Sequence, residues 1–219
     1  MKKIKGVLFD FNGTLYWDTP LHNRAWDQFL DRHRISLTDE EKDRRIHGKN
    51  NRDIMRILFG RDLDPAEFDR YSKEKEDIYQ AMCLQQNLQL ADGTIPLFDF
   101  LKDKGIPFTI ATAADLYNMN FYFSHLGLGR WFDLRRVVYS DGTIKSKPDP
   151  EIFFKAAEVL GLSPDDLLVF EDSYGGIQAA EGFGAGTIFI VDSTGADYSA
   201  YPHRIIRSFD EVDRSMFEY

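Results

Sequence analysis

Ile4-Lys5-Gly6-Val7-Leu8-Phe9-Asp10-Phe11-Asn12-Gly13-Thr14 opens as an apolar, β-branched run and breaks off at an acid followed by a glycine-containing polar turn. That pattern predicts a buried strand feeding a loop, the start of an α/β unit. Downstream, from about residue 17 to 90, no strand pattern follows. Leu21, Ala25, Trp26, Phe29 and Leu30 recur at helical spacing, and Thr38 with Glu41 three places on forms a capping-box signature. Two further helices are expected over Asp53–Phe59 and Asp64–Leu88. From Leu97 the pattern becomes strand and helix in alternation. Phe108–Thr112, Val137–Ser140, Leu167–Asp172 and Thr187–Asp192 read as strands, and Leu116–Leu126, Pro150–Leu160 and Ile177–Phe183 as helices. Such alternation predicts a doubly wound parallel sheet, an α/β Rossmann-like core over residues 1–16 and 91–219, interrupted by a helical cap over 17–90. Ser208–Tyr219 carries a weak helical pattern.

The 219 residues suffice for one sizeable core and a smaller accessory unit. Thirty-six acidic residues against 27 basic ones give a formal net charge of -9, which argues against nucleic acid as a partner. The apolar runs fall well short of the roughly 20 residues that span a bilayer, and Lys2 and Lys3 precede no secretory pattern. With Cys83 as the single cysteine, no intrachain disulfide forms, so a cytoplasmic protein without a membrane partner is expected. Cys83 reads as buried filler on a helix face.

Four expected strands end in polar groups: Asp10, Thr112, Ser140 and Glu171-Asp172. In an open parallel sheet, ligands bind beyond the carboxyl ends of the strands, so these groups can converge. Asp10 and Asp172 facing one another suit a hard cation such as magnesium. That site attracts phosphate. Lys147, in Ser146-Lys147-Pro148-Asp149-Pro150, adds a positive charge able to pair with a carboxylate nucleophile and a phosphoryl oxygen together. The Thr112 hydroxyl, the Ala113 N–H and the turn at Gly13 and Thr14 supply further donors.

The four pieces Asp10-Phe11-Asn12-Gly13-Thr14, Ala111-Thr112-Ala113, Lys147-Pro148-Asp149-Pro150 and Glu171-Asp172-Ser173 resemble, in order, the four motifs of the haloacid dehalogenase superfamily. The helical block resembles that family's cap, and His22 with Trp26 resembles its β-phosphoglucomutase-like branch. The resemblance implies that Asp10 attacks phosphorus, that Thr112 and Lys147 bind the phosphoryl group, and that Mg2+ is held by Asp10, the carbonyl of Asn12, and Asp172 with Glu171. A small phosphorylated metabolite, a sugar phosphate foremost, is the implied substrate of a monomer or weak homodimer.

Departures from the pattern sharpen the expectation. Where the family's phosphatases and mutases carry a second Asp, this chain has Asn12, which keeps the backbone carbonyl but exchanges no proton near neutral pH. Slow turnover follows. The position of the mutases' cap arginine falls on Asn51, with Arg52 adjacent, which favours phosphatase over phosphomutase. Phosphonate hydrolases place a nucleophilic lysine there, and Lys49 is offset from it. Glu171-Asp172-Ser173 argues against carbon–halogen chemistry. His22, Arg24, His47, Lys49, Asn50 and Arg52 lie in or near the cap as candidates to touch substrate, most of them expected to be solvated surface, while His33, His125 and His203 read as structural. Two alternatives remain open: a catalytically weakened phosphate-ligand sensor or scaffold, and a phosphonate hydrolase.

Overall fold

The computed structural model describes residues 3–46 and 48–217. Strand β1 (Gly6–Phe9) lies in a six-stranded sheet with β2 (Phe108–Asp115), β3 (Val138–Ser140), β4 (Leu167–Glu171), β5 (Thr187–Val191) and β6 (Arg204–Ile206). The order is β3-β2-β1-β4-β5-β6 and every pairing is parallel. Parallel neighbours need crossovers, and α5 (Thr94–Asp103), α6 (Leu116–Leu126), α7 (Glu151–Leu160) and α8 (Tyr174–Phe183) supply covering helices. Both faces of the sheet are therefore buried. This explains why β1 and β4 read as continuous apolar runs with every position buried.

Side chains still alternate between faces. Val7 and Phe9 point into one cluster with Phe98, Ile110 and Phe170, whereas Leu8 points into the other with Val169, Phe153 and Ala180. Phe9 and Phe170 stack with ring centroids 5.1 Å apart, fixing β1 against β4 on that face. Strand order reverses between β1 and β4, which makes the carboxyl end of that pair the switch point where a doubly wound sheet opens a crevice.

Between β1 and β2 the chain forms α1 (Thr19–Arg32), α2 (Asp39–Arg45), α3 (Asn51–Phe59) and α4 (Pro65–Cys83). Thr38 caps α2 with the expected reciprocal bonds to Glu41, and Asp64 with Glu67 does the same for α4. Leu21, Ala25, Trp26, Phe29 and Leu30 are the buried stripe of α1, as their spacing predicts. Among the described residues no helix is long and apolar enough to cross a membrane.

Three local readings change. The fourth helix ends at Cys83 rather than Leu88, where its apolar stripe runs out. The tail forms two 3-10 turns, Phe209–Glu211 and Arg214–Met216, in place of a helix; Ser208 and Asp213 accept bonds two residues on and hold the backbone in turns. Strand β6 had no local signal and forms by pairing Arg204–Ile206 with Phe189–Val191.

Candidate active site

Asp10 and Asp172 follow directly on β1 and β4, Glu171 closes β4, and Thr112 lies within β2. These side chains meet beyond the sheet. Asp10 is 6% exposed, Thr112 1% and Glu171 0%, so the group is nearly dry. Lys147, on the loop between β3 and α7, enters from the side and its Nζ donates to Asp10 Oδ1 at 2.6 Å and to Glu171 Oε1. The other Glu171 oxygen accepts from the backbone N–H groups of Asp172 and Ser173 at 2.9 and 3.0 Å and from the Ser173 hydroxyl. Glu171 is thus held at both oxygens. Asp172 Oδ1 accepts from the Thr14 hydroxyl at 2.9 Å.

The turn after Asp10 is shaped by two constraints. Gly13 sits at φ +79°, and a Cβ there would overlap the Asp172 carboxylate, so glycine serves both backbone and contact. Its N–H donates to Asp18 Oδ1 at 3.0 Å. Asp18 stands at the N-cap of α1 without capping it, because its fully buried carboxylate is turned instead to Gly13, Tyr79 and Asn12. The Asn12 amide donates to Asp18 Oδ2 at 2.6 Å and to the Tyr122 hydroxyl at 2.7 Å. Both its hydrogens are committed.

Electrostatics follow from three carboxylates around one ammonium. Burial, reinforced by Glu171 and only partly offset by Lys147, pushes Asp10 up to about 7. Burial together with Glu171 and Asp10 raises Asp172 well above the carboxylate range. Burial alone would lower Lys147, but Asp10 and Glu171 outweigh it and hold the ammonium charged. Asp10, Glu171 and Asp172 each bring one carboxylate oxygen within 4.8 Å of the others. An all-oxygen set with surplus negative charge fits a hard divalent cation such as magnesium.

This cluster floors a cavity of about 450 Å³. Asp10, Asn12, Thr112, Ala113, Lys147 and Asp172 line it from the sheet side, and His22, Trp26, Lys49, Asn51, Lys75 and Glu76 from the helical block. Ala114 N donates to Thr112 Oγ1 at 3.1 Å, leaving the hydroxyl hydrogen free to donate elsewhere. Of the residues singled out in the sequence, Gly13, Thr14 and Glu171 support the floor from behind. Arg52 is not brought to the cavity: its guanidinium lies over the Phe68 ring, 4.8 Å from the centroid. Arg24 lines a groove elsewhere on α1 and α4, and Asn50 bonds the loop before Lys147 rather than facing the cavity. His47 lies outside the described residues.

Asp18, Lys75, Glu76 and Asn118 escaped the sequence reading. Lys75 and Glu76 sit within Lys73-Glu74-Lys75-Glu76-Asp77, which resembles a solvated face, yet each is only 2% exposed. Their signal was helical register with Ser72, Tyr79, Met82 and Cys83, the buried stripe of α4. Lys75 Nζ lies 3.1 Å from both Glu76 oxygens and 2.9 Å from His22 Nδ1, while Asn118 Nδ2 donates to Glu76 at 2.7 Å. His22 stacks on Tyr79 with centroids 3.9 Å apart, and its Nε2 approaches Asp18 Oδ2 at 3.3 Å without hydrogen-bond alignment.

The chain is similar to known proteins over most of its length. A crystal structure of a haloacid dehalogenase (HAD) hydrolase, family IA variant 3, from Entamoeba histolytica superposes with a TM-score of 0.84, 34% identity and 97% of each chain covered. A fructose-1-phosphate phosphatase of Escherichia coli is 28% identical over 85% of this chain and 96% of its own. A chloroplastic 5-amino-6-(5-phospho-D-ribitylamino)uracil phosphatase of Arabidopsis thaliana is 27% identical over 80% of this chain, which spans 46% of that longer protein. Since the family model described as haloacid dehalogenase-like hydrolase matches residues 4–184, from the first strand through the helix after Asp172, the chain belongs to that family and is a hydrolase.

Proposed function

We propose that this chain is a magnesium-dependent phosphatase that hydrolyses a small phosphorylated metabolite, a sugar phosphate foremost, through an aspartyl-phosphate on Asp10. The observation that carries the reading is Lys147 bound to both Asp10 and Glu171 at the floor of a cavity that Thr112 and Asp172 also line. Asp10, the Asn12 carbonyl and Asp172 would hold the cation, which when bound supplies positive charge against the phosphoryl oxygens. Glu171, its oxygens already bonded, fixes Lys147 beside them. The Asp10 oxygen attacks phosphorus in line as the bond to the substrate's ester oxygen breaks, and the departing alkoxide takes its proton from water because the Asn12 amide has none to give; Lys147 offsets charge on the phosphoryl oxygens, and the Thr112 hydroxyl and Ala113 N–H donate to them. Water then attacks the phosphorus of the phosphoenzyme, the acyl oxygen–phosphorus bond breaks, inorganic phosphate leaves with the water's proton passing to solvent, and the Asp10 carboxylate is regenerated.

Residues 17–90 serve as the cap that excludes water while this occurs. The relatives' activity on fructose 1-phosphate and on a phosphoribitylamino compound supports a polyhydroxylated substrate. Lys75 Nζ is engaged by both Glu76 oxygens and by His22 Nδ1, which blocks its approach to a carbonyl and disfavours the Schiff-base chemistry of a phosphonate hydrolase. One observation favours the weakened-catalyst alternative: the Asn12 amide is built into bonds with Asp18 and Tyr122. The deciding experiment is phosphate release from a panel of phosphorylated metabolites, with and without Mg2+, against Asp10→Asn as the blank. Release that persists in Asp10→Asn, or its absence for every compound in the wild type, refutes the proposal.

A further inference from the structure

Asn51 opens α3 and lines the cavity opposite the carboxylate floor. Its Nδ2 donates to Glu76 Oε1 at 2.8 Å and to Ser72 Oγ at 3.0 Å, with Asp115 Oδ2 at 3.4 Å. An amide nitrogen has two hydrogens, and both are used. Flipping the amide would set its oxygen against the Glu76 and Asp115 carboxylates, so the orientation is fixed by charge. What remains for a ligand is the carbonyl oxygen, an acceptor. Asn118 offers no more: its Nδ2 goes to Glu76 and its oxygen accepts from Gln80.

Of the two lysines on this wall, Lys49 alone has no ion pair among the described residues. Lys75 is neutralised by both oxygens of Glu76 and bonded to His22. The amino end of α3 already has Asp53 in its first turn. A phosphate or carboxylate carries only acceptors near neutral pH and finds no donor on the Asn51 side chain, whereas a hydroxyl donates to its amide oxygen directly. Lys49, on the loop before α3, is the cation that a second anionic group would have to use.

We infer that the substrate group meeting Asn51 is a neutral hydroxyl, so that the chain selects monophosphates of sugars or polyols and discriminates against the corresponding bisphosphates; this rests on the phosphatase reading above and narrows it. A half-buried acceptor set against an acceptor loses the hydrogen bond that a hydroxyl would make, enough for about tenfold discrimination.

The test separates binding from turnover. Calorimetric titration of the Asp10→Asn protein in Mg2+ with fructose 1-phosphate and with fructose 1,6-bisphosphate reads the preference, and phosphate release by the wild type reads the activity. Binding about tenfold tighter for the monophosphate is expected. In the same background, Glu76→Gln, which unlocks Asn51 and releases Lys75, should bring that ratio close to one. Ser72→Ala, which returns one amide hydrogen to Asn51 at small structural cost, should shift it the same way if Glu76→Gln does not fold. Equal or tighter binding of the bisphosphate overturns the inference, most directly if Lys49→Ala then abolishes it, and so does failure of both probes to bind. A ratio unmoved in both folded variants overturns it too. A monophosphate preference without any phosphate release leaves the inference standing and removes the phosphatase reading.

Discussion

Replacing Asn12 by Asp tests what the amide contributes. In the native chain Asn12 Nδ2 lies 2.6 Å from Asp18 Oδ2, and Asp18 is fully buried. Burial alone would raise the Asp18 carboxyl, but His22 and the bonds from Tyr79 and Asn12 outweigh it and hold it below its usual range. An ionised Asp at position 12 would set two carboxylate oxygens at that separation, a repulsion of about 6 kcal/mol at an effective dielectric near 20. The pair therefore keeps a shared proton near neutrality. A protonated carboxyl facing the cavity is the acid a leaving alkoxide needs, worth ~10² to 10⁴ in rate where that step limits. Turnover of Asn12→Asp on an alkyl phosphate should rise at least tenfold, and less on nitrophenyl phosphate, whose leaving group needs no proton.

Because the folded pair must hold that proton, the same substitution lowers stability by about 1.4 kcal/mol for each pH unit above the unfolded carboxyl value near 4, on the order of 3–6 °C in Tm per unit for a chain of this size. The sign with pH is fixed. The folded pair holds its proton more tightly than the unfolded chain, so the penalty is small below about pH 4 and grows as pH rises toward the raised folded value. Steady-state kinetics and thermal unfolding at pH 5 and 8 measure both effects. A variant no faster on any alkyl phosphate would show that another group carries the proton, and an unchanged Tm at pH 8 would refute the role given to the Asn12–Asp18 bond.

Asp10→Asn and Asp172→Asn should each reduce phosphate release to background, with Asp10→Asn retaining much of the Mg2+-dependent rise in Tm because its amide oxygen still faces the site; acid-quench trapping of labelled enzyme should show no phosphoenzyme in the former. With Asp10 raised to about 7 and Asp172 raised as well, metal-free folded protein binds more protons than unfolded chain between about pH 4 and 7. Stability without metal should therefore fall as pH rises through that window, and the Tm gain from Mg2+ should be larger at pH 8 than at pH 5; an equal gain at both argues against metal binding at these carboxylates. Asn50 caps α3 while its N–H donates to Ser146 Oγ at 2.9 Å and its amide to the Ile144 carbonyl at 3.2 Å, one loop ahead of Lys147. Asn50→Ala should loosen that junction, raising KM several-fold with a smaller change in kcat and speeding proteolysis near residues 47–50; unaltered KM and cleavage would show that the junction does not hold the helical block down.

Much of this chain was legible before any coordinates. Strands buried on both faces must be apolar throughout, so Gly6–Phe9 and Leu167–Glu171 announce themselves, and the polar residues that end such strands can only gather at one edge of a parallel sheet. Asp10, Glu171 and Asp172 are found together for that reason, whereas Thr112 joins them from within β2 and Lys147 from the loop between β3 and α7. Capping is local as well, and Thr38 with Glu41 forms the box its spacing promises.

Other features are set by partners distant in sequence. Arg204–Ile206 is too short to signal a strand and becomes one only because β5 presents an unpaired edge. Lys75 and Glu76 look like surface charge within a charged run; burial is possible because each neutralises the other and Asn51, Asn118 and His22 fill the remaining bonds. The choice between Asn51 and Arg52 is of the same kind. Successive helical residues point about 100° apart, so a one-residue uncertainty in alignment decides which of them meets the cavity. The sequence by itself determined the sheet, the helical insertion and the floor of the site, because those follow from periodicity and strand ends. Only tertiary packing, by turning Arg52 onto Phe68 and binding Asn51 to Glu76, decided which side chain lines the cavity, because that depends on helix rotation and on partners supplied by other elements.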